Sequence, residues 1–170
     1  RGLGDVYKRQ SVYLQGKDGR PVGEEVAQSM AKNIAIKKDS WSSARFQFKI
    51  NKPKLWDIDT PNCYVAVSRV FIDGKEMDSY ETPFGIRTIE FTHDQGFMLN
   101  GQKVAIKGVC MHHDLGCLGA AVNTRAIERQ LQILKEMGCN GIRCSHNPPA
   151  PELLDLCDRM GFIVMDEAFD

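Results

Sequence analysis

Two patterns of apolar and polar positions divide the chain. In residues 11–91 the apolar side chains come in short runs rich in β-branched and aromatic residues, at 22–30, 33–36, 44–50, 64–72 and 86–91. Alternation is clearest in Phe46-Gln47-Phe48-Lys49-Ile50, where every second side chain suits the buried face of a strand. Asp73-Gly74 follows the fourth run. Both residues tolerate the positive φ angles of a type I′ turn, which predicts a hairpin there. Short strands at this spacing predict a small antiparallel sandwich.

Beyond residue 91 the period changes. Residues 104–109 are apolar, and residues 124–137 carry Ile127, Leu131, Leu134 and Met137 at helical spacing before Gly138. That stripe predicts an amphipathic helix closed by a left-handed glycine. Residues 139–144 form the next apolar run, Pro151 opens a second helical stripe of Leu153, Leu156, Cys157 and Met160, and Gly161 ends it before the apolar residues 162–165. Proline at the first helical turn has no N–H to leave unsatisfied. Strands apolar on both faces and separated by helices predict a parallel sheet covered on both sides. Three strands and two helices do not close a β/α barrel, so this β/α part, residues 92–170, is read as truncated at Asp170.

Composition narrows the class. With 42% hydrophobic and 26% charged residues, the chain has the apolar content of a packed protein rather than a disordered one. Lys plus Arg and Asp plus Glu number 22 each, so no net field favours a nucleic acid. No run has the length of a membrane span, no leader-like segment opens the chain, and the compartment, periplasmic or cytoplasmic, stays open. The six cysteines include no CxxC pair and suit small-hydrophobe packing better than a zinc or disulfide framework. Residues 1–10, RGLGDVYKRQ, show no clear period. They resemble a translated library adaptor, are set aside from the fold, and leave 11–91 as the sandwich; the alternative is an ordinary loop or strand start.

The chemistry gathers where the predicted parallel strands end. The first ends in His112-His113-Asp114, the second in Arg143-Cys144-Ser145-His146-Asn147-Pro148 and the third in Asp166-Glu167. Function in β/α sheets sits at that carboxyl edge. Adjacent side chains on a strand face opposite ways, so one of His112 and His113, and one of Asp166 and Glu167, enters a given site. Adjacent histidines diverge, which disfavours a metal-dependent hydrolase. A glycosidase needs donors for sugar hydroxyls and two facing carboxyls, and Asp166 and Glu167 cannot be that pair.

These residues resemble glycoside hydrolase family 2. Lys54-Leu55-Trp56-Asp57, Pro61, Tyr64 and Phe84-Gly85-Ile86-Arg87 are similar to the end of that family's immunoglobulin-like sandwich. Phe97-Met98-Leu99-Asn100-Gly101, Lys107-Gly108-Val109, His112-His113-Asp114-Leu115-Gly116, Gly141 to Pro148 and Asp166-Glu167-Ala168 are similar, in order, to the opening of its TIM barrel. The resemblance implies a retaining exo-β-glycosidase of terminal β-galactosides, or a β-glucuronidase or other family member. It places His112 and His146 against the sugar, Asp166 and Glu167 at the pocket floor, Arg143 beside the nucleophile, and Asp114 as a lesser sugar contact. It also places both catalytic glutamates after later strands, outside this chain. Cys110 and Met111 stand where the familiar β-galactosidase motif has Asn and Arg, and Ala168-Phe169-Asp170 stands at its magnesium segment. A carbohydrate substrate is implied; a divalent cation and a homo-oligomer of the complete enzyme are left open. A carbohydrate-binding module and a metal-dependent hydrolase are the rival classes.

Overall fold

A computed structural model describes residues 5–168. The chain divides into two units, Arg1–Lys54 with Cys63–Phe84, and Leu55–Asn62 with Gly85–Asp170.

The first unit is built on β1 (Val6–Gln15), β2 (Pro21–Ala31), β3 (Cys63–Ile72) and β4 (Lys75–Gly85), in one sheet of order β2-β1-β3-β4. β1 runs antiparallel to β3 from Val6↔Ile72 to Leu14↔Tyr64, while its register with β2 shifts between Val12 and Leu14. Cys63, Tyr64, Val65, Ala66, Val67 and Ser68 are all buried. Consecutive side chains face opposite ways, so this end of β3 is covered on both sides, as in a sandwich. The expected hairpin is present, with Asp73 and Gly74 at φ 50° and 80°.

Three expectations change. Val6 to Gln10, set aside as adaptor-like, belong to the inner strand β1, where all five pair with β3 and Lys8 to Gln10 pair with β2 as well; residues 1–4 lie outside the described ones. β4 went unanticipated because it is an edge strand, exposed along most of its length, with no apolar alternation to show it. Residues 33–36 and 44–50 join no ladder. The alternation at 46–50 survives as burial alone, with Phe46 and Phe48 stacked at 6.4 Å and the Lys8 ammonium 5.7 Å from the Phe46 ring centre.

The second unit opens with a small antiparallel sheet of β5 (Ile89–Thr92), β6 (Gly96–Leu99) and β7 (Gln102–Lys103). The β/α part follows: β8 (Gly108–Met111), α1 (Thr124–Glu136), β9 (Gly141–Cys144), α2 (Pro151–Met160) and β10 (Ile163–Met165), with parallel order β10-β9-β8. The Asn123 side chain caps α1 by accepting from the Ala126 N–H at 3.0 Å. Ile127, Leu131, Leu153, Leu156 and Cys157 pack against Ile142, Cys144 and Phe162, and Leu134 and Met160 lie at the margin. The α1 stripe stops at Leu134, for Met137 is exposed.

The first parallel strand starts later than its apolar run. The Asn140 side chain accepts from the Lys107 N–H at 2.7 Å and donates to the Ala105 carbonyl at 3.0 Å. An amide side chain thereby replaces the ladder before Gly108.

The unit boundary also moves, from residue 91 to between Phe84 and Gly85. Leu55–Asn62 belongs with the β/α part because its contacts are there. The Trp56 indole is 2% exposed, donates to the Asp158 carbonyl at 2.7 Å and lies 4.3 Å under the Arg87 guanidinium. The Lys135 ammonium donates to the Ile58 carbonyl at 2.7 Å and the Gly161 carbonyl at 3.1 Å.

Candidate functional site at the carboxyl edge of the parallel sheet

Strand alternation sorts the rim. Met111, Ile142, Cys144 and Val164 face the helices, since all belong to or pack on the core they form. Cys110 pairs in register with Arg143, and Arg143 with Met165, so these three share the opposite face. Two residues further along, parity puts His112 and Glu167 on that face and His113 and Asp166 on the other.

The contacts agree. Arg143 forms an ion pair with Glu167 through Nη2, and His146 Nδ1 lies 3.1 Å from Glu167 Oε2 and 3.4 Å from Arg143 Nη2. The His112 and His146 rings meet edge-on, 5.8 Å between centres. One tautomer cannot serve both neighbours of Nδ1. The shorter contact is to a carboxylate, which only accepts, so Nδ1–H donates to Glu167 and Nε2 is left for another partner. The Ser145–His146 peptide is cis.

The remaining expected residues are placed otherwise. Asp114 accepts from the Gly116 N–H at 2.7 Å and so shapes its own loop. Asp166 lies near enough to Cys144 to help raise that thiol's pKa, after burial, the larger cause. A cavity of about 60 Å³ lies under the loop after β8, lined by His112, His113 and Asp114 but mainly by apolar side chains such as Met111, Ile127 and Leu153; Arg143, His146 and Glu167 do not line it. The chemistry sits on the sheet edge rather than there.

Two members of the cluster were not anticipated. Cys110 Sγ lies 3.7 Å and Ser145 Oγ 3.5 Å from Arg143 Nη1. Hydrogen bonding from Arg143, then from Ser145, lowers the Cys110 thiol below the ordinary thiol range. The hydrogen bond to Cys110, more than the ion pair with Glu167, holds the Arg143 pKa up. The signal was available in the spacing, because Cys110 lies two residues before His112 and so on its face. Cys110, Cys117, Cys139, Cys144 and Cys157 are free thiols. Among the described residues, no three His, Cys, Asp or Glu side chains converge as metal ligands.

A sandwich unit joined to parallel β/α units whose carboxyl edge gathers arginine, histidine and carboxylate defines the class: an immunoglobulin-like domain followed by the start of a TIM barrel. Residues 4–87 match the model for glycosyl hydrolases family 2, and residues 90–169 match the TIM barrel domain of the same family. The chain belongs to glycosyl hydrolase family 2. It is 62% identical over 157 residues to beta-galactosidase BoGH2A of Bacteroides ovatus, covering 92% of this chain and 18% of that protein. A beta-glucuronidase of Bacteroides fragilis is 32% identical over 146 residues, covering 85% and 21% respectively. A solved family 2 structure from Bacteroides cellulosilyticus superposes with a TM-score of 0.87 at 38% identity, covering 99% of this chain and 21% of the other. The chain thus spans about a fifth of the length of these relatives.

Proposed function

We propose that this chain supplies part of the sugar-binding wall of a retaining exo-β-glycosidase acting on terminal β-galactosides. The observation that carries the reading is the Arg143, Glu167, His146 and His112 cluster at the carboxyl edge of β8 to β10. Glu167 fixes the His146 ring, leaving Nε2 to meet a sugar hydroxyl in one geometry. Arg143 brings a permanent positive charge to the rim. Beside a nucleophilic carboxylate from a later strand it would keep that group ionised. Acid/base and nucleophile glutamates are to be sought in the longer protein, after the fourth and seventh barrel strands, to protonate the leaving oxygen and to attack the anomeric carbon.

A β-glucuronidase is the second reading, since relatives carrying that name match well, one at 40% identity. Galactoside is preferred on two grounds. The relative at 62% identity is named a β-galactosidase, and Arg143 is already paired with Glu167, so it offers no spare charge to a uronic carboxylate. The test is turnover by the longer protein of nitrophenyl β-galactoside against nitrophenyl β-glucuronide, with His146→Ala and Glu167→Gln alongside. We expect galactoside preference and a loss of about 10²-fold or more in kcat/KM for each variant, the scale of one lost transition-state contact. Full turnover in both variants would remove the cluster from the mechanism.

A further inference from the structure

Cys110 stands in the cluster without a part in that reading. A guanidinium is planar, with its N–H groups in a fixed fork. Holding one nitrogen therefore fixes where the other points. Here Nη1 lies against Cys110 Sγ at 3.7 Å and Ser145 Oγ at 3.5 Å, while Nη2 meets Glu167, whose other oxygen holds His146. The register Cys110↔Arg143 makes the first contact a cross-strand pair, set by backbone pairing. Ser145 is 4% exposed, and its N–H donates to the Met111 carbonyl at 2.9 Å. Both anchors are thus tied to the sheet.

We propose that Cys110 is a positioning residue: with Ser145 it sets the plane of the Arg143 guanidinium, and thereby the Arg143, Glu167 and His146 arrangement on which substrate would rest. The groups facing the sulfur are Arg143 and Ser145 from β9 and its end and Glu167 from beyond β10, with His112 further along on the same face of β8. Arg143 favours the thiolate and Glu167 opposes it. The kinetic side of this inference rests on the glycosidase reading; the contact itself does not.

Two arms separate them. In the first, site-resolved mass spectrometry follows alkylation of Cys110 against pH in the chain and in Arg143→Gln. Losing the arginine should move the midpoint upward and slow alkylation at pH 7 by about three- to ten-fold, because the thiolate is the nucleophile. Identical profiles would overturn the proposal. In the second, the active longer protein carries Cys110→Ala or Cys110→Ser. Alanine should cost roughly ten- to a hundred-fold in kcat with KM within about two-fold, and serine, which retains an acceptor, should recover most of it. An unaltered alanine variant, or equal loss in both, would overturn the proposal. If no form, the unaltered one included, cleaves a β-glycoside, the glycosidase reading fails, and the alkylation arm alone decides whether Cys110 and Arg143 are coupled.

Discussion

Gly161 tests how Leu55–Asn62 is held to the β/α unit. It ends α2 at φ 73° and ψ 47°, a conformation that costs an L-residue about 1–2 kcal/mol. Gly138, just past α1, has φ 88° and incurs the same cost. The difference between them is space. A Cβ at Gly138 meets nothing within 4 Å, whereas a Cβ at Gly161 would lie 2.2 Å from the Ile58 oxygen and 2.8 Å from its carbonyl carbon. Ile58 would have to retreat by roughly 1 Å to reach ordinary contact. That oxygen is held at 2.7 Å by the Lys135 ammonium. Losing a charge-assisted hydrogen bond at a partly exposed site adds about 1–2 kcal/mol. Gly161→Ala should therefore cost about 2–4 kcal/mol, against about 1–2 for Gly138→Ala.

The assay exploits the two tryptophans. Trp56 is 2% exposed and Trp41 is 86% exposed, so in a Trp41→Phe background the fluorescence change in urea reports the surroundings of Trp56. A lower midpoint at constant slope converts to the stability difference. Equal midpoints for Gly161→Ala and Gly138→Ala would show that Ile58 does not press on Gly161.

Further predictions concern neighbouring contacts. Lys135→Met should lose about 1–2 kcal/mol by the same titration. Burial lowers the Lys135 pKa, so between its folded and unfolded values the unfolded chain holds more protons and stability rises with pH; that alkaline limb should vanish in Lys135→Met. Trp56→Phe leaves the Asp158 carbonyl without its 2.7 Å donor and should cost about 1–3 kcal/mol by circular dichroism melting, beyond the loss of packing. Arg143→Lys keeps the charge but loses the fork, so in the longer protein kcat/KM should fall by about ten-fold or more, and unchanged turnover would show that charge alone suffices. β8 and β10 are edges of their sheet, so the 170-residue chain should self-associate in light scattering, whereas a monodisperse, cooperatively melting sample would count against that.

Helix signals were legible where local chemistry sets the backbone. The Ile127 and Leu131 spacing, Gly138 after α1, Pro151 opening α2 and Gly161 closing it are each decided within a turn of chain. Strands were legible only where a buried face imposes alternation or a continuous apolar run. β3 satisfied that condition and β4 did not, its place being set by β3 and the Asp73-Gly74 turn. Residues 46–50 show the converse, for alternation records a buried face and says nothing about a ladder partner. The exchange of Leu55–Asn62 into the second unit was illegible, because its partners at Arg87, Lys135, Asp158 and Gly161 are distant in sequence.

The site was legible in part for a related reason. Parity along a strand predicts that only one of two neighbours can enter, and choosing between them needs one residue whose side is known. Arg143 supplies that reference: Ile142 and Cys144 on either side of it are buried in the helix-facing core, so its own side chain must leave on the opposite face. Register then carries the assignment across the sheet, to Cys110 on β8 and Met165 on β10. Just past the strand ends, two residues on from Cys110 and Met165, come His112 and Glu167, and their contacts with His146 and Arg143 agree with that face. A cysteine counted among core hydrophobes thus becomes a neighbour of the arginine, and an Asp-Glu pair resolves into one member at the rim and one turned away. The same parity predicts that His113→Ala will spare substrate affinity in the longer protein, leaving KM within about two-fold. His112→Ala should raise KM instead; both side chains line the cavity under the β8 loop, so stability does not separate them, and KM measurements that found the two effects exchanged would invert the assignment of faces.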